Sequence, residues 1–216
     1  MGLERVKLLV LDFDGVLTDN HVYVDQDGRE SVRCYRGDGV GIERVKALGV
    51  EVIVISSEVN PVVQTRCKKL RVICWQGCGQ PGVMTKLATL EAECRGRGIT
   101  LGQVAYVGND VNDLECLKAV GFPFVPWDCE HELRKLHNRM GIDQHGHELV
   151  METVDLTGIS NLRRLHRNGG DGCVREACDL IADAHKKPSI RVPISEPWRR
   201  TRPNFDLDYD LAPGNR

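Results

Sequence analysis

The chain alternates between short runs of consecutive apolar residues and longer stretches in which apolar residues recur every three or four positions. The first pattern predicts buried β-strands, and the second predicts helices with one buried face. The predicted strands are residues 6–12, 50–55, 72–74, 104–107 and 122–125. The predicted helices are residues 39–48, a segment that begins near Pro61, residues 86–95 and residues 112–120. This alternation predicts an α/β fold with a parallel sheet and helices on both faces.

One pair of short strands breaks the alternation. Residues 22–24 and 30–33 lie on either side of Asp25-Gln26-Asp27-Gly28, a turn sequence that predicts a β-hairpin. The hairpin occupies much of the segment between the first strand and the first helix. We therefore expect a Rossmann-like three-layer sandwich with a parallel sheet and a small β-hairpin flap.

The composition is that of a soluble globular protein. Of 216 residues, 41% are hydrophobic and 28% are charged, and the formal net charge of −2 gives no reason to expect a nucleic-acid or membrane partner. No apolar stretch approaches the roughly 20 residues of a membrane span. The first residues lack a signal-peptide core, and the nine cysteines lie mostly inside predicted elements. These features predict free thiols and a cytoplasmic location.

Two regions depart from the regular pattern. Residues 187–216 combine several prolines with a basic run and a following acidic stretch, a composition that predicts an extended tail. Residues at about 137–157 are polar and give no clear period, so an irregular insertion is expected there. The predicted organisation is one domain over residues 1–186, followed by the tail.

Polar side chains follow three of the predicted strands. Asp12 and Asp14 come at the end of the first strand, Ser56 follows the second, and Asn109 and Asp110 follow the fourth. In open parallel sheets the carboxyl ends of the strands meet at one edge, where ligands bind. Two acids spaced i, i+2 lie on the same side of the chain and repel each other unless a cation or a shared proton lies between them.

This set of residues suits the hydrolysis of a phosphate monoester. Asp12 could attack phosphorus, and Asp14 could protonate the leaving oxygen and then activate water. Two anions must approach each other in that reaction, so a divalent cation is needed, and Mg²⁺ prefers oxygen ligands. Asp12 and Asp14, with Asn109 or Asp110, are the candidate ligands. Ser56 could donate to a phosphoryl oxygen, and Lys86 could neutralise the phosphorylated aspartate.

The same residues resemble a known family. Asp12-Phe13-Asp14-Gly15-Val16-Leu17-Thr18-Asp19, Ser56, Lys86 and Gly108-Asn109-Asp110-Val111-Asn112-Asp113 resemble, in order, motifs I to IV of the haloacid dehalogenase superfamily. The chain is most similar to the branch without a large cap domain, the 3-deoxy-octulosonate 8-phosphate phosphatase-like proteins. The resemblance implies a Mg²⁺-dependent phosphatase that forms an aspartyl-phosphate and assembles as a homotetramer.

A second set of residues bears on the substrate. Within that branch, the segment after Ser56 resembles phosphatases of nine-carbon sugar acids through Glu58, Arg66 and Lys69, whereas octulosonate enzymes typically carry Arg where this chain has Glu58. The resemblance therefore implies a nonulosonate 9-phosphate as substrate, bound by Ser57, Glu58, Arg66 and Lys69. A cationic pair suits a sugar carboxylate; the alternative is that Arg66 and Lys69 belong to an ordinary solvated helix face.

Several alternatives stay open at this point. The superfamily usually has Asp where this chain has Asn109, an exchange also found in the phosphatase-like domain of CMP-sialate synthetases, so a non-catalytic tetramerisation module is a rival interpretation. Another is a phosphatase of a different small sugar or nucleoside phosphate. Asp113 is expected to organise its loop rather than to bind metal. Asp19 and Asp38 could bind substrate or cap helices.

Overall fold

A six-stranded parallel sheet forms the centre of the computed structural model, which describes residues 2–134, 136–142, 148–155, 159 and 161–186. In spatial order the strands are β10 (Arg163–Arg164), β7 (Phe122–Val125), β6 (Val104–Val107), β1 (Leu8–Leu11), β4 (Glu51–Ile55) and β5 (Ile73–Trp75). Every residue of β1 is buried, because this central strand is covered on both faces. The predicted parallel sheet is confirmed.

Helices cover both faces of the sheet. Alternate residues of the central strands pack on one side with α1 (Gly37–Lys46), α2 (Pro61–Leu70) and α6 (Cys173–His185). The intervening residues pack on the other side with α3 (Lys86–Arg97), α4 (Leu114–Ala119) and Leu133 of the short α5 (His131–Arg134). The expected three-layer sandwich is therefore confirmed, with the predicted element ends displaced by a few residues.

The predicted hairpin is also present. It consists of β2 (Thr18–Val24) and β3 (Glu30–Cys34), which pair antiparallel between β1 and α1. It is the only sheet element in that segment, and α2 is the only helix between β4 and β5. In the part of the chain that the structure describes, neither segment holds a large cap domain, as expected.

Residues 137–157, where an irregular insertion was expected, contain a second hairpin. Its strands are β8 (Leu136–Ile142) and β9 (Glu148–Asp155), which pair antiparallel. In β8, Leu136, Met140 and Ile142 lie at alternating positions, but Asn138 interrupts the series, so the period of two that identifies a strand is incomplete. The predicted tail over residues 187–216 lies outside the described residues. None of the helices described is both long and apolar enough to cross a membrane.

Candidate active site

The carboxyl ends of β1, β4 and β6 form a small polar cleft. Leu11 is paired with Val54 on one side and Val107 on the other, so the residues that follow these strands emerge at the same level. The cleft has a volume of about 70 Å³. Its lining residues are Asp12, Asp14, Asn20, Ser56, Ser57, Asn109, Asp110 and Asn112. The strand-end residues predicted from the sequence are therefore brought together.

Asp12 lies at the floor of the cleft and forms a buried ion pair with Lys86. Lys86 Nζ is 2.9 Å from Asp12 Oδ2 and 2.8 Å from Asp113 Oδ1, and all three side chains are buried. Burial, together with the negative charge of Asp113, raises the pKa of Asp12 to about 8 in spite of the opposing effect of Lys86. Burial alone would lower the pKa of Lys86, but the two carboxylates raise it. The ammonium group is thus charged and fixed beside Asp12.

The local sequence explains how Lys86 reaches Asp12. Thr85 caps α3 by accepting a hydrogen bond from Ala88 N, so Lys86 is the first helical residue. The preceding segment, Gln80–Met84, forms a closed turn, in which Gly79 N donates to Met84 O at 2.8 Å and Val83 N donates to Gln80 O at 2.9 Å. This turn leads directly to the capping residue Thr85.

Asp113 organises the loop after β6, as the sequence predicted, and also contacts Lys86. Its Oδ2 accepts from Asn109 N at 2.9 Å, and its Oδ1 accepts from Tyr106 Oη at 2.7 Å. Tyr106 is buried in β6 and was not predicted as part of the site. A tyrosine in an otherwise aliphatic buried strand predicts a buried polar contact, because its hydroxyl needs a hydrogen-bond partner inside the protein. Sequence alone does not identify that partner.

The amide of Asn109 is held against the loop that carries Asp14. A Cβ atom added to Gly15 would lie 2.0 Å from Asn109 Nδ2, and Gly15 has φ +74°, so glycine is required there for space as well as for conformation. Asn109 Oδ1 is buried and accepts no hydrogen bond within the described part of the chain. A buried acceptor left without a partner is costly and points to a ligand that supplies one.

Asp110 lies at the edge of the same cleft but already has a structural role. It caps the short 3-10 helix Val111–Asp113, with its Oδ1 accepting from Val111 N at 2.6 Å. The described residues contain no group of three or more His, Cys, Asp or Glu side chains arranged to bind a metal. An oxygen site for a hard cation here would therefore draw on the amide of Asn109 as well as the carboxylates. Such a donor set fits Mg²⁺.

Asp14 is half-buried at the mouth of the cleft. Its Oδ1 accepts a long hydrogen bond of 3.4 Å from Thr18 Oγ1, a residue at the base of the hairpin. Burial, reinforced by the negative charge of Glu58, raises the pKa of Asp14. A carboxyl group with a raised pKa is suited to giving a proton to a leaving oxygen and taking one from water.

The two serines after β4 also line the cleft. Ser56 is buried, and its Oγ accepts from Glu58 N at 3.0 Å, which leaves the hydroxyl proton available for another acceptor. Ser57 Oγ accepts from Asn112 Nδ2 at 3.2 Å across the cleft. Both serines thus line the cleft, and their contacts to a phosphoryl group and substrate stay predictions.

The remaining predicted substrate residues lie outside the cleft lining. Glu58 Oε1 accepts from the backbone nitrogens of Val59 and Asn60 before α2, at 2.6 and 2.8 Å. Arg66, on α2, donates from Nη2 to Tyr35 O at 3.0 Å, and Lys69 is exposed in the last turn of that helix. The structure thus places only Glu58 close enough to influence Asp14.

The two loop acids left open by the sequence both make structural contacts. Asp19 accepts from Arg33 Nη1 at 3.1 Å and from His21 N at 3.2 Å within the hairpin. Asp38 Oδ1 accepts from Arg175 N at 3.0 Å at the start of α6. Asp38 thus caps the first turn of α6, whereas the contacts of Asp19 lie within the hairpin and cap no helix.

Comparisons with known proteins agree with this geometry. No protein-family profile matches the chain. The chain is 30% identical over 186 residues to the 3-deoxy-D-manno-octulosonate 8-phosphate phosphatase KdsC of Escherichia coli (strain K12), covering 85% of this chain and 83% of that protein. It resembles the crystal structure of a Streptomyces avermitilis protein assigned to the HAD family of hydrolases, at 33% identity and a TM-score of 0.67, covering 83% and 87% of the two chains.

A third relative has ligands in its crystal structure. The 3-deoxy-D-manno-octulosonate 8-phosphate phosphatase of Moraxella catarrhalis, solved with magnesium, phosphate and KDO, is 26% identical with a TM-score of 0.66, over 84% of this chain and 88% of that one. The particular link to nonulosonate phosphatases and CMP-sialate synthetases is not among these similarities. Sequence identity across most of the chain, the same fold and the strand-end carboxylates together establish that this chain belongs to the KdsC-like phosphatases of the haloacid dehalogenase superfamily.

Proposed function

We propose that this chain is a Mg²⁺-dependent phosphatase that hydrolyses a phosphorylated 2-keto sugar acid, a nonulosonate 9-phosphate, through a phosphoryl group carried on Asp12. The observation that carries the proposal is the convergence, in one cleft, of Asp12 paired with Lys86 and the buried, unpartnered Asn109 Oδ1. A carboxylate beside a fixed ammonium group, together with a buried oxygen atom that has no hydrogen-bond partner, suits phosphoryl transfer better than a structural role.

The residues divide the reaction between them. Asp12 attacks phosphorus, and the phosphorus–oxygen bond to the sugar breaks as Asp14 gives its proton to the leaving oxygen. Asp14 then takes a proton from water, which attacks the phosphorylated Asp12 and restores the carboxylate as phosphate leaves. Lys86 and the Ser56 hydroxyl face the charge that develops on the phosphoryl oxygens, and Asp113 holds Lys86 in place.

Asp12, Asp14 and Asn109, with Asp110 at the edge, are the residues that would hold Mg²⁺. When bound, the ion would screen the negative charges of the nucleophile and the phosphate from each other. Because Asn109 is neutral, these four residues carry less negative charge than they would with Asp at position 109. Its unpartnered oxygen nevertheless supports Asn109, rather than Asp110, as the third ligand.

Asn109→Ala is expected to raise the Mg²⁺ concentration for half-maximal activity about tenfold or more, since a ligand is lost. The matched variant is Asp110→Asn, which keeps an acceptor for Val111 N and removes only the charge. Asp110→Asn should raise the Mg²⁺ concentration for half-maximal activity by a smaller factor. The measurement is phosphate release over a Mg²⁺ titration, with the thermal midpoint as a check on folding. A larger shift for Asp110→Asn would contradict the assignment of Asn109.

The names of the relatives favour one particular alternative, the eight-carbon substrate 3-deoxy-D-manno-octulosonate 8-phosphate. We place the nine-carbon substrate first because Glu58 stands where octulosonate enzymes typically carry Arg, and because the charge of Glu58 acts on Asp14, beside the leaving oxygen. The Asp12–Lys86–Asp113 network argues against the non-catalytic module.

The homotetramer and the cytoplasmic location stay predictions. Exposed apolar residues on β2, among them Tyr23 at 64% exposure, support an assembled state.

The test is a comparison of nine-carbon and eight-carbon 2-keto acid phosphates with Mg²⁺. We expect kcat/KM to favour the nine-carbon ester by about tenfold or more, a difference that a few pocket contacts can supply. Glu58→Arg should shift that preference toward the eight-carbon ester. Glu58→Gln is the control, because its amide oxygen can still accept from Val59 N and Asn60 N. Equal or reversed preference in the unmodified protein would overturn the nine-carbon assignment.

A further inference from the structure

Asn20 lines the cleft but has no part in the mechanism proposed above. It belongs to β2, at the point where the pairing with β3 shifts its register between Thr18 and Val22. The residue is exposed, and its side-chain amide forms no hydrogen bond within the described part of the chain. The exposed edge of the cleft therefore carries a free amide, which can both donate and accept a hydrogen bond.

The backbone of Asn20 has an uncommon conformation. Its φ of +62° lies in the left-handed region, and among the described non-glycine residues only Arg71, at the end of α2, shares that region, with φ +54°. Asparagine tolerates this conformation better than most residues, but the conformation still costs free energy, and residues that adopt it cluster at functional sites. Irregular strand pairing beside an active site also redirects side chains. Both features are typical of a residue placed for function.

Contacts on either side fix the segment that carries Asn20. Asn20 N donates to Thr18 Oγ1 at 3.3 Å, and Arg33 Nη1 donates to Asp19 Oδ2 at 3.1 Å. The backbone of Asp19 also packs closely on a glycine loop, because a Cβ atom added to Gly170 would lie 2.3 Å from Asp19 N. A group held on a fixed segment loses less conformational entropy when it binds a ligand.

Asn20 lies on the side of the cleft that faces the leaving group. The Thr18 hydroxyl that accepts from Asn20 N also donates to Asp14 Oδ1, and in the proposed mechanism Asp14 protonates the leaving oxygen. The cleft volume of about 70 Å³ is far below the roughly 300 Å³ or more of sites that enclose a whole small ligand. The carbon chain of the ester must therefore continue past the exposed edge of the cleft, where Asn20 lies.

We propose that Asn20 is a specificity-determining residue, whose side-chain amide forms a hydrogen bond with a hydroxyl group on the carbon chain next to the phosphate ester. The inference rests on the proposed function, which supplies a polyhydroxylated leaving group, and it applies to a chain of eight or nine carbons. An amide suits a hydroxyl group because each can donate and accept. It is also uncharged, so it does not repel an anionic substrate.

Asn20→Gly tests this contact, because glycine adopts the same φ and only the side chain is removed. With a 2-keto sugar acid phosphate we expect KM to rise about three- to tenfold, since one neutral hydrogen bond is lost, and kcat to stay within about twofold of the parent. The leaving group of p-nitrophenyl phosphate has no hydroxyl substituent, so KM and kcat for this ester should both stay within about twofold. The matched control is Arg71→Gly, which relieves the same backbone conformation outside the cleft lining and should match the parent with both esters.

Product inhibition gives a second readout that needs no turnover of the sugar ester. With p-nitrophenyl phosphate as substrate, the dephosphorylated 2-keto sugar acid should inhibit Asn20→Gly about three- to tenfold more weakly than it inhibits the parent. Inorganic phosphate, which has no carbon chain to reach Asn20, should inhibit both proteins equally. The thermal midpoint of the variant should lie within about 2 °C of the parent, because the backbone conformation is kept.

The outcomes separate this contact from the proposed function. If the parent shows no higher kcat/KM for a sugar acid phosphate than for p-nitrophenyl phosphate, the proposed function fails and the contact fails with it. If the parent has that preference, and Asn20→Gly keeps both the preference and the inhibition by the sugar acid, the role of Asn20 is overturned and the proposed function stands. Equal losses with both esters would indicate a backbone effect and would also overturn the role of Asn20.

Discussion

Replacing Asp12 with Asn is expected to lower kcat by about 10³-fold or more with every phosphate ester, while the fold is retained. The amide keeps the shape of the side chain, and its oxygen can still accept from Phe13 N, a bond of 2.7 Å in the parent. It has no anionic oxygen to attack phosphorus. Lys86 keeps its second partner, Asp113, so the neighbouring network should survive. Phosphate release with Mg²⁺, together with the thermal midpoint, measures both parts of the prediction.

Asp14→Asn is the matched control for Asp12→Asn, because it changes a carboxylate to an amide two residues away. It should preserve phosphoryl transfer to Asp12 from an ester with a good leaving group, which needs little protonation, and should slow the later attack by water. A burst of p-nitrophenol followed by slow turnover is the expected trace. An Asp12→Asn protein that retained more than about a tenth of the parent activity would remove Asp12 as the nucleophile.

Replacing Lys86 with Met is expected to affect both stability and activity. Asp12 and Asp113 would then be left as buried carboxylates without their shared cation, which costs about 3–5 kcal/mol of unfolding free energy when one partner of a buried ion pair is removed. The pKa of Asp12 should rise further, because the opposing effect of Lys86 is lost while burial and the charge of Asp113 still raise it. We expect kcat to fall about 10²-fold or more, since charge stabilisation at the phosphoryl group is lost.

Chemical denaturation with a phosphate-release assay tests the Lys86 prediction. The control is Lys118→Met, the same substitution at an exposed residue whose partner Glu115 is 3.7 Å away on the surface of α4. Exposed pairs of this kind contribute little, so the control should match the parent. If Lys86→Met unfolds at the same denaturant concentration as the control, the buried network does not stabilise the site and its proposed role is wrong.

The cleft could be predicted from the sequence because it depends on strand ends. Asp12, Ser56 and Asn109 each follow an apolar run, and a parallel sheet brings such positions to one edge whatever the exact register. Asp14 could be placed in the same cleft because it comes two residues after Asp12, on the same side of the chain. Lys86 follows no strand, so its contact with Asp12 could not be predicted from strand ends. The contact arises because Thr85 caps α3 and makes Lys86 its first residue.

Contacts between elements could not be predicted in the same way. The hydrogen bond from Tyr106 to Asp113 requires the path of the loop after β6, and the acceptor of Arg66, Tyr35 O, requires the packing of α2 against the end of β3. A single sequence contains no signal for either. Helix faces are similarly ambiguous. Arg66 and Lys69 are three residues apart on α2, but Arg66 is half-buried and Lys69 is exposed, a difference that only tertiary packing determines.

The most direct test of the mechanism is to identify the residue that carries phosphate. The Asp14→Asn protein is mixed with Mg²⁺ and a sugar acid phosphate or p-nitrophenyl phosphate, quenched in acid during the burst, and analysed by peptide mass spectrometry. We predict a peptide that contains Asp12 and has gained one phosphoryl group, and we predict that the peptide is unmodified when Asp12 is also replaced by Asn. Phosphate release without any modified peptide, or a phosphoryl group on a residue other than Asp12, would contradict the mechanism.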